Sequence, residues 1–234
     1  MTAKEFIETL ALFKNEKELN KAEKFFKGND GITKSFGTKF GDVFSTAKEF
    51  SEMSLEEINK LLDSDFYEVR MGAVSIMDFQ ARSKKTSEDH KKALFDLYLN
   101  RHDRLNNWDF VDRAARSIIG EYLIDKPRDI LYKLADSDSP WERRTAIVST
   151  HAFIRKNEVA DTFAIAEILV HDPNEFVNKA VGSWIREAGK KDKKKLHGFL
   201  TAYVKTMSAV TFSYATEKLD PELKLFYKEL RKKK

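Results

Sequence analysis

The chain has 234 residues, a formal charge of +4, four prolines and no cysteine, which excludes disulfides, thiolate catalysis and Cys-ligated zinc or iron–sulfur centres. With 34% charged residues and an abundance of Lys, Glu and Leu, it reads as all-α, long enough to bury a real core. The small positive balance permits nucleic-acid binding without demanding it. No apolar run approaches the roughly 18 residues of a membrane span, and the N-terminus becomes charged too soon for a secretion signal; a cytoplasmic, membrane-free protein is expected.

From the N-terminus, apolar positions at helical spacing between residues 4 and 27, among them Phe6, Leu10, Phe13, Leu19 and Phe26, predict one or two helices. Gly28-Asn29-Asp30-Gly31 breaks the pattern, and Ile32 to Gly41 reads as a loop. Its glycines lack the Gly-Lys-Ser/Thr ending of a phosphate-cradling P-loop. A helix from Asp42 to about Ser51 follows, with Asp42 well placed near its start.

A unit then recurs. Ser54-Leu55-Glu56-Glu57 is a capping box that opens a short helix to about Leu62, and Asp63-Ser64-Asp65 turns into a longer helix beginning near Phe66. The same polar turn returns at Asn106-Asn107-Trp108, at Asp136 to Trp141, where Pro140 suits a first helical turn, and at Asp172-Pro173-Asn174. Superposing the turns puts Arg70, Asp112, Arg144 and Lys179 at one equivalent position, at intervals of roughly 30–40 residues that suit a HEAT-like two-helix solenoid. Asp89 to Asn100, Pro127 to Leu134, Val159 to Val170 and Lys193 to Thr206 supply partner helices, and Ser208–Leu219 with Pro221–Arg231 makes the last pair. The expected architecture is one domain, residues 1–234, with N-terminal helices over 1–50 and repeats over 51–231. It forms a curved solenoid with a concave basic face.

Trp108 and Asp112 lie one helical turn apart, so they share a face. The residues alone leave two readings open: an acid beside a flat apolar wall that meets a polyanion, or a helix cap followed by a core tryptophan. The basic runs Lys190–Lys195 and Arg231–Lys234 fit either a binding surface or a solvated helix start and tail.

Four segments together, Asn106-Asn107-Trp108-Asp109-Phe110-Val111-Asp112, Leu131–Ala135, Trp141-Glu142-Arg143-Arg144 and Lys179-Ala180-Val181-Gly182-Ser183-Trp184, resemble the AlkD-type DNA alkylation repair proteins, which are HEAT-like-repeat DNA glycosylases. The resemblance covers most of the chain from about Phe36 onward. It implies Asp112 as the catalytic carboxylate, Trp108 as an aromatic wall against the sugar of the lesion nucleotide, and Arg144 as a partner for phosphate or acid. It further implies that the partner is double-stranded DNA, alkylated or distorted; no cofactor is expected, and nothing in the sequence asks for more than a monomer. Arg113, Arg116, Trp141, Lys179 and Trp184 complete the set of candidate DNA-contacting residues.

The chain departs from the family pattern in two places. Ser183 stands where the family has a second groove tryptophan, and Trp184 follows about 100° further round the helix. Met207 to Ala215 lacks two arginines that relatives carry. Two alternatives to excision therefore stand beside it: a non-catalytic binder of bent, branched or damaged DNA, and a HEAT-type protein-interaction scaffold. No His pair has metal-protease spacing, and no metal site is expected.

Overall fold

The structure is a computed structural model that describes residues 1–19, 26 and 31–232. All named elements among them are helical, and none of these helices is long and apolar enough to cross a membrane. The expected break at Gly28 to Asp30, and part of the expected helical stretch before it, lie outside the described residues.

The chain divides into two compact units, Met1–Tyr122 and Leu123–Lys234. The first holds α1 (Ala3–Ala11), α2 (Phe40–Glu49), α3 (Leu55–Leu62), α4 (Tyr67–Arg82), α5 (Glu88–Asn100) and α6 (Trp108–Ala114). The second holds α7 (Asp129–Ala135), α8 (Pro140–Ser149), α9 (His151–Arg155), α10 (Ala160–Leu169), α11 (Glu175–Gly189), α12 (Lys193–Tyr203), α13 (Ala209–Ala215) and α14 (Pro221–Lys232). Within the units the short helices pack on the longer ones that follow them: α3 on α4, α7 on α8, α10 on α11. This is the alternation expected from the recurring turns.

Capping explains where several helices begin. Ser54, Ser87, Asp192 and Ser208 each accept a hydrogen bond from the backbone N–H three residues on, satisfying a donor that the helix itself cannot. At Ser54 only half of the predicted capping box forms. The Glu57 carboxylate turns away from the cap and accepts from the Ala3 N–H at 2.7 Å, so it ties the start of α1 to α3.

The core of the first unit is organised by α4. Every residue from Tyr67 to Asp78 is buried. The Gly-rich loop docks on its N-terminus: the Phe36 and Gly37 N–H groups and the Ser35 hydroxyl all donate to the Glu68 carboxylate, at 2.6, 3.0 and 3.0 Å. Gly37 sits at φ +84°, the left-handed region that favours glycine. Two of the loop's backbone donors, those of Phe36 and Gly37, are therefore engaged by an internal acid. In the second unit α11 packs most extensively on α13, and Gly182 makes the approach possible. A Cβ there would lie 2.6 Å from the Thr211 carbonyl oxygen and 2.6 Å from the Tyr214 Cβ.

Candidate functional site

Helix α6 is a short two-faced helix. Phe110, Val111 and Ala114 are buried, while Asp112 is exposed and Trp108 half-buried. Trp108 and Asp112 therefore occupy the outward side one turn apart, as their spacing predicts. Asn107 does not form the cap expected of it. Its backbone stands at the N-cap with φ −151°, yet its side chain makes no cap hydrogen bond.

Asn107 instead belongs to a triad in which it and Tyr67 are buried and Asp109 is half-buried. Its Nδ2 donates to the Tyr67 hydroxyl at 3.0 Å and to Asp109 Oδ1 at 2.8 Å. The Tyr67 hydroxyl in turn donates to Asp109 Oδ2, and the Phe110 N–H donates to Asp109 Oδ1 at 3.0 Å. Burial pushes the Asp109 carboxyl up to about 6, against the pull of these donors. Burial, and then the charge of Asp109, also push the Tyr67 hydroxyl upward, so it stays protonated and able to donate.

A buried acid holds the other end of the segment. Asp78, on α4, pairs with Arg113 at 3.3 Å and accepts from the Ser117 hydroxyl at 2.5 Å; Arg113 Nε also donates to Ser75 Oγ at 3.0 Å. The Arg113 guanidinium lies over the Phe44 and Phe79 rings at 4.8 and 5.0 Å, and burial pulls it below the usual arginine range. Arg113 is thus turned into the protein. Arg116 is half-buried and lies in a π-helical turn, Ala115–Gly120, that continues α6. The wider turn is closed by the Glu121 N–H on the Arg116 carbonyl at 2.8 Å. Tyr67, Ser75 and Asp78 recur at helical spacing along one side of α4, and that side anchors both ends of the segment carrying Trp108 and Asp112.

The remaining candidates lie in the second unit, and three of them, Trp141, Arg144 and Lys179, gather around Phe176. Trp141 meets its ring at 5.8 Å between centroids, tilted by 45°. Lys179 Nζ lies 5.1 Å from the same ring and pairs with Glu175. Arg144 is only 7% exposed and donates to the Phe176 carbonyl. Its neighbour Arg143 holds Asp172 at 2.6 Å and the Ser137 and Asp138 carbonyls at 2.8 and 2.9 Å. Trp184 stacks on His151 at 4.5 Å and 27°, whereas half-buried Ser183 follows Phe176 and Lys179 along α11 at the spacing of one face.

Of the four repeat-equivalent residues, Arg70 and Arg144 are buried while Asp112 is exposed and Lys179 half-buried. Arg70 is fully buried, donates to Thr33 Oγ1 at 2.6 Å and lies over Phe110 at 5.5 Å, so it packs the core. Tyr67, Asn107, Asp109 and Phe176 were not among the sequence candidates. A tyrosine about 40 residues away was the missing partner, and only the repeat period brings it near.

A family model described as "DNA alkylation repair enzyme" matches residues 6–219. A search of curated protein sequences gives no match. Among solved structures, one described as a predicted DNA alkylation repair enzyme from Enterococcus faecalis matches with a TM-score of 0.66 at 14% identity, covering 89% of this chain and 97% of that one. That likeness bears on the fold, which is all-α and HEAT-like.

Proposed function

The chain belongs to the DNA alkylation repair family, and from that premise we propose that it is a DNA glycosylase hydrolysing the N-glycosidic bond of positively charged N3- or N7-alkylpurines in duplex DNA. Asp112 is the catalytic carboxylate. The observation that carries this is an exposed acid one turn from a half-buried tryptophan, on a helix whose inner face is tied down by Tyr67, Asn107 and Asp109. A catalytic group needs a fixed backbone and an accessible head, and this arrangement supplies both.

The chemistry asks little more. An alkylated purine is already cationic, so its departure with the bonding electron pair leaves a neutral base and needs no general acid. The sugar left behind develops oxocarbenium character, which a preorganised carboxylate stabilises while it orients the incoming water. Water adds to C1′ and loses its proton to Asp112 or to solvent. Trp108 serves as the flat wall for the sugar. Arg116, Lys179, Trp141 and Trp184 are assigned to the DNA backbone and its neighbouring bases, while Arg113 and Arg144 act through the elements that they brace.

The expected result is release of N3-methyladenine or N7-methylguanine from methylated DNA by the purified protein. Asp112→Asn removes the charge but keeps the shape, and should lower release by at least about a hundredfold with DNA affinity nearly unchanged. No release by the wild type, or full activity in Asp112→Asn, overturns the catalytic assignment. The inward turn of Arg144 and Ser183 in place of a tryptophan favour a second reading, a non-excising binder of distorted DNA. Salt-sensitive binding without base release selects it.

A further inference from the structure

At the C-terminal end of the second unit, α11, α12, α13 and the start of α14 line an open-mouthed cavity of about 380 Å³, the size range of small-molecule sites. Its walls are of two kinds. Leu196, Leu219 and Leu223, with Ala215 and Gly189, supply apolar surface, and Arg186, Lys190, Lys193 and Lys218 supply positive charge. Asp220 is the one acid in the wall, and its Oδ1 is already engaged by the Leu223 N–H at 2.9 Å as the cap of α14.

The cations are held with different strength. Arg186 is fixed, with ion pairs to Glu217 and Glu187 and a hydrogen bond to the Tyr214 carbonyl. Lys190 and Lys218 pair with the same two glutamates at 2.7 and 3.0 Å, but their side chains are 53% and 63% exposed. Exposed lysine pairs of this kind contribute little and exchange easily for a better anion. Lys193 stands exposed in the first turn of α12. His197 is oriented from behind: its Nδ1 lies 2.9 Å from the Tyr227 hydroxyl and its ring stacks on Tyr227, which leaves Nε2 as the ring nitrogen for a ligand.

We propose that this cavity binds a phosphate monoester with an apolar or aromatic body of nucleotide size. The body lies on the leucine wall, and the phosphate lies between Lys190, Lys193 and Lys218. Nothing in the proposed excision chemistry uses this cavity, so the two assignments stand or fall separately. The same chemistry is offered by a free nucleotide and by the 5′-phosphorylated end of a DNA strand.

The test uses the full chain and three probes: adenosine 5′-monophosphate, inorganic phosphate, and a short single strand with or without a 5′-phosphate. Calorimetry and amide chemical-shift mapping should show saturable binding of the monophosphate or of the phosphorylated strand below about 1 mM, with shifts at residues 189–197 and 215–223. Inorganic phosphate alone should bind at least about tenfold more weakly, having no apolar contact to make. The double variant Lys193→Glu/Lys218→Glu changes two exposed side chains and should weaken binding at least about tenfold, while Asp112→Asn leaves it unchanged. Saturation by the monophosphate identifies a free nucleotide; saturation by the phosphorylated strand alone identifies a strand end. Absence of saturation with both, or unaltered affinity in the folded double variant, overturns the proposal.

Discussion

Asp109 and Asp112 show how differently two acids three residues apart are used. Asp112 is exposed, whereas Asp109 is half-buried and its carboxyl is pushed up to about 6 by burial. A carboxyl whose folded value is raised favours folding in its protonated form, so its contribution is fully present below about 4 and is lost as pH rises through about 6. The stability of the wild type relative to Asp109→Asn should therefore fall as pH is raised from 4 to 7, as urea unfolding of the two proteins in parallel would measure. A flat difference would place the Asp109 carboxyl in solvent. At this scale the sequence was only half legible. The Trp108 and Asp112 spacing on one helical face could be read directly, but Asp109 acquires its role from Tyr67 and Asn107, and no local pattern signals a partner on another helix. Arg70 teaches the same lesson in reverse. Its place in the repeat aligned it with the exposed Asp112, yet the guanidinium is used inside, against Phe110 and Thr33.

Among the elements, helix starts are legible where a Ser, Asp or Asn side chain meets an N–H only two or three residues away, as at Ser54, Asn174, Asp192 and Ser208; at the turns before α4, α6 and α8 no side chain caps the helix. The π-helical turn at Ala115–Gly120 was not legible, since Ala-Arg-Ser-Ile-Ile suits an ordinary helix and the Ser117 bond to Asp78 exists only once α4 is in place. Close approach is equally non-local. Gly182 reads as a weak point in α11 until Thr211 is seen 2.6 Å from where a Cβ would stand. Gly182→Ala forces backbone to move and should cost about 1–3 kcal/mol, visible as a lower urea midpoint with an unchanged slope. Stability equal to the wild type would mean that α11 and α13 are not packed this tightly.

For the molecule as a whole, charge distribution outweighs the net +4. Acids occupy many of the ion pairs that hold the helices, as at Asp78, Asp161 and Asp172, and lysines dominate the exposed run from Lys190 to Lys195. Association with duplex DNA should then weaken at least about tenfold between 50 and 200 mM salt, the response to roughly two neutralised phosphates. Fluorescence anisotropy with an unmodified duplex measures it, and salt-independent binding would contradict a phosphate-directed surface.

One consequence of helix α4 concerns transplantation. Its Tyr67, Ser75 and Asp78 grip the Trp108 to Gly120 segment at both ends, and its Glu68 latches the Ser35–Gly37 loop. Copying Trp108 through Asp112 onto another helical scaffold would carry over the reactive acid without the parts that aim it. The smallest portable unit is a pair of segments distant in sequence, and a designer who moves one must move the other.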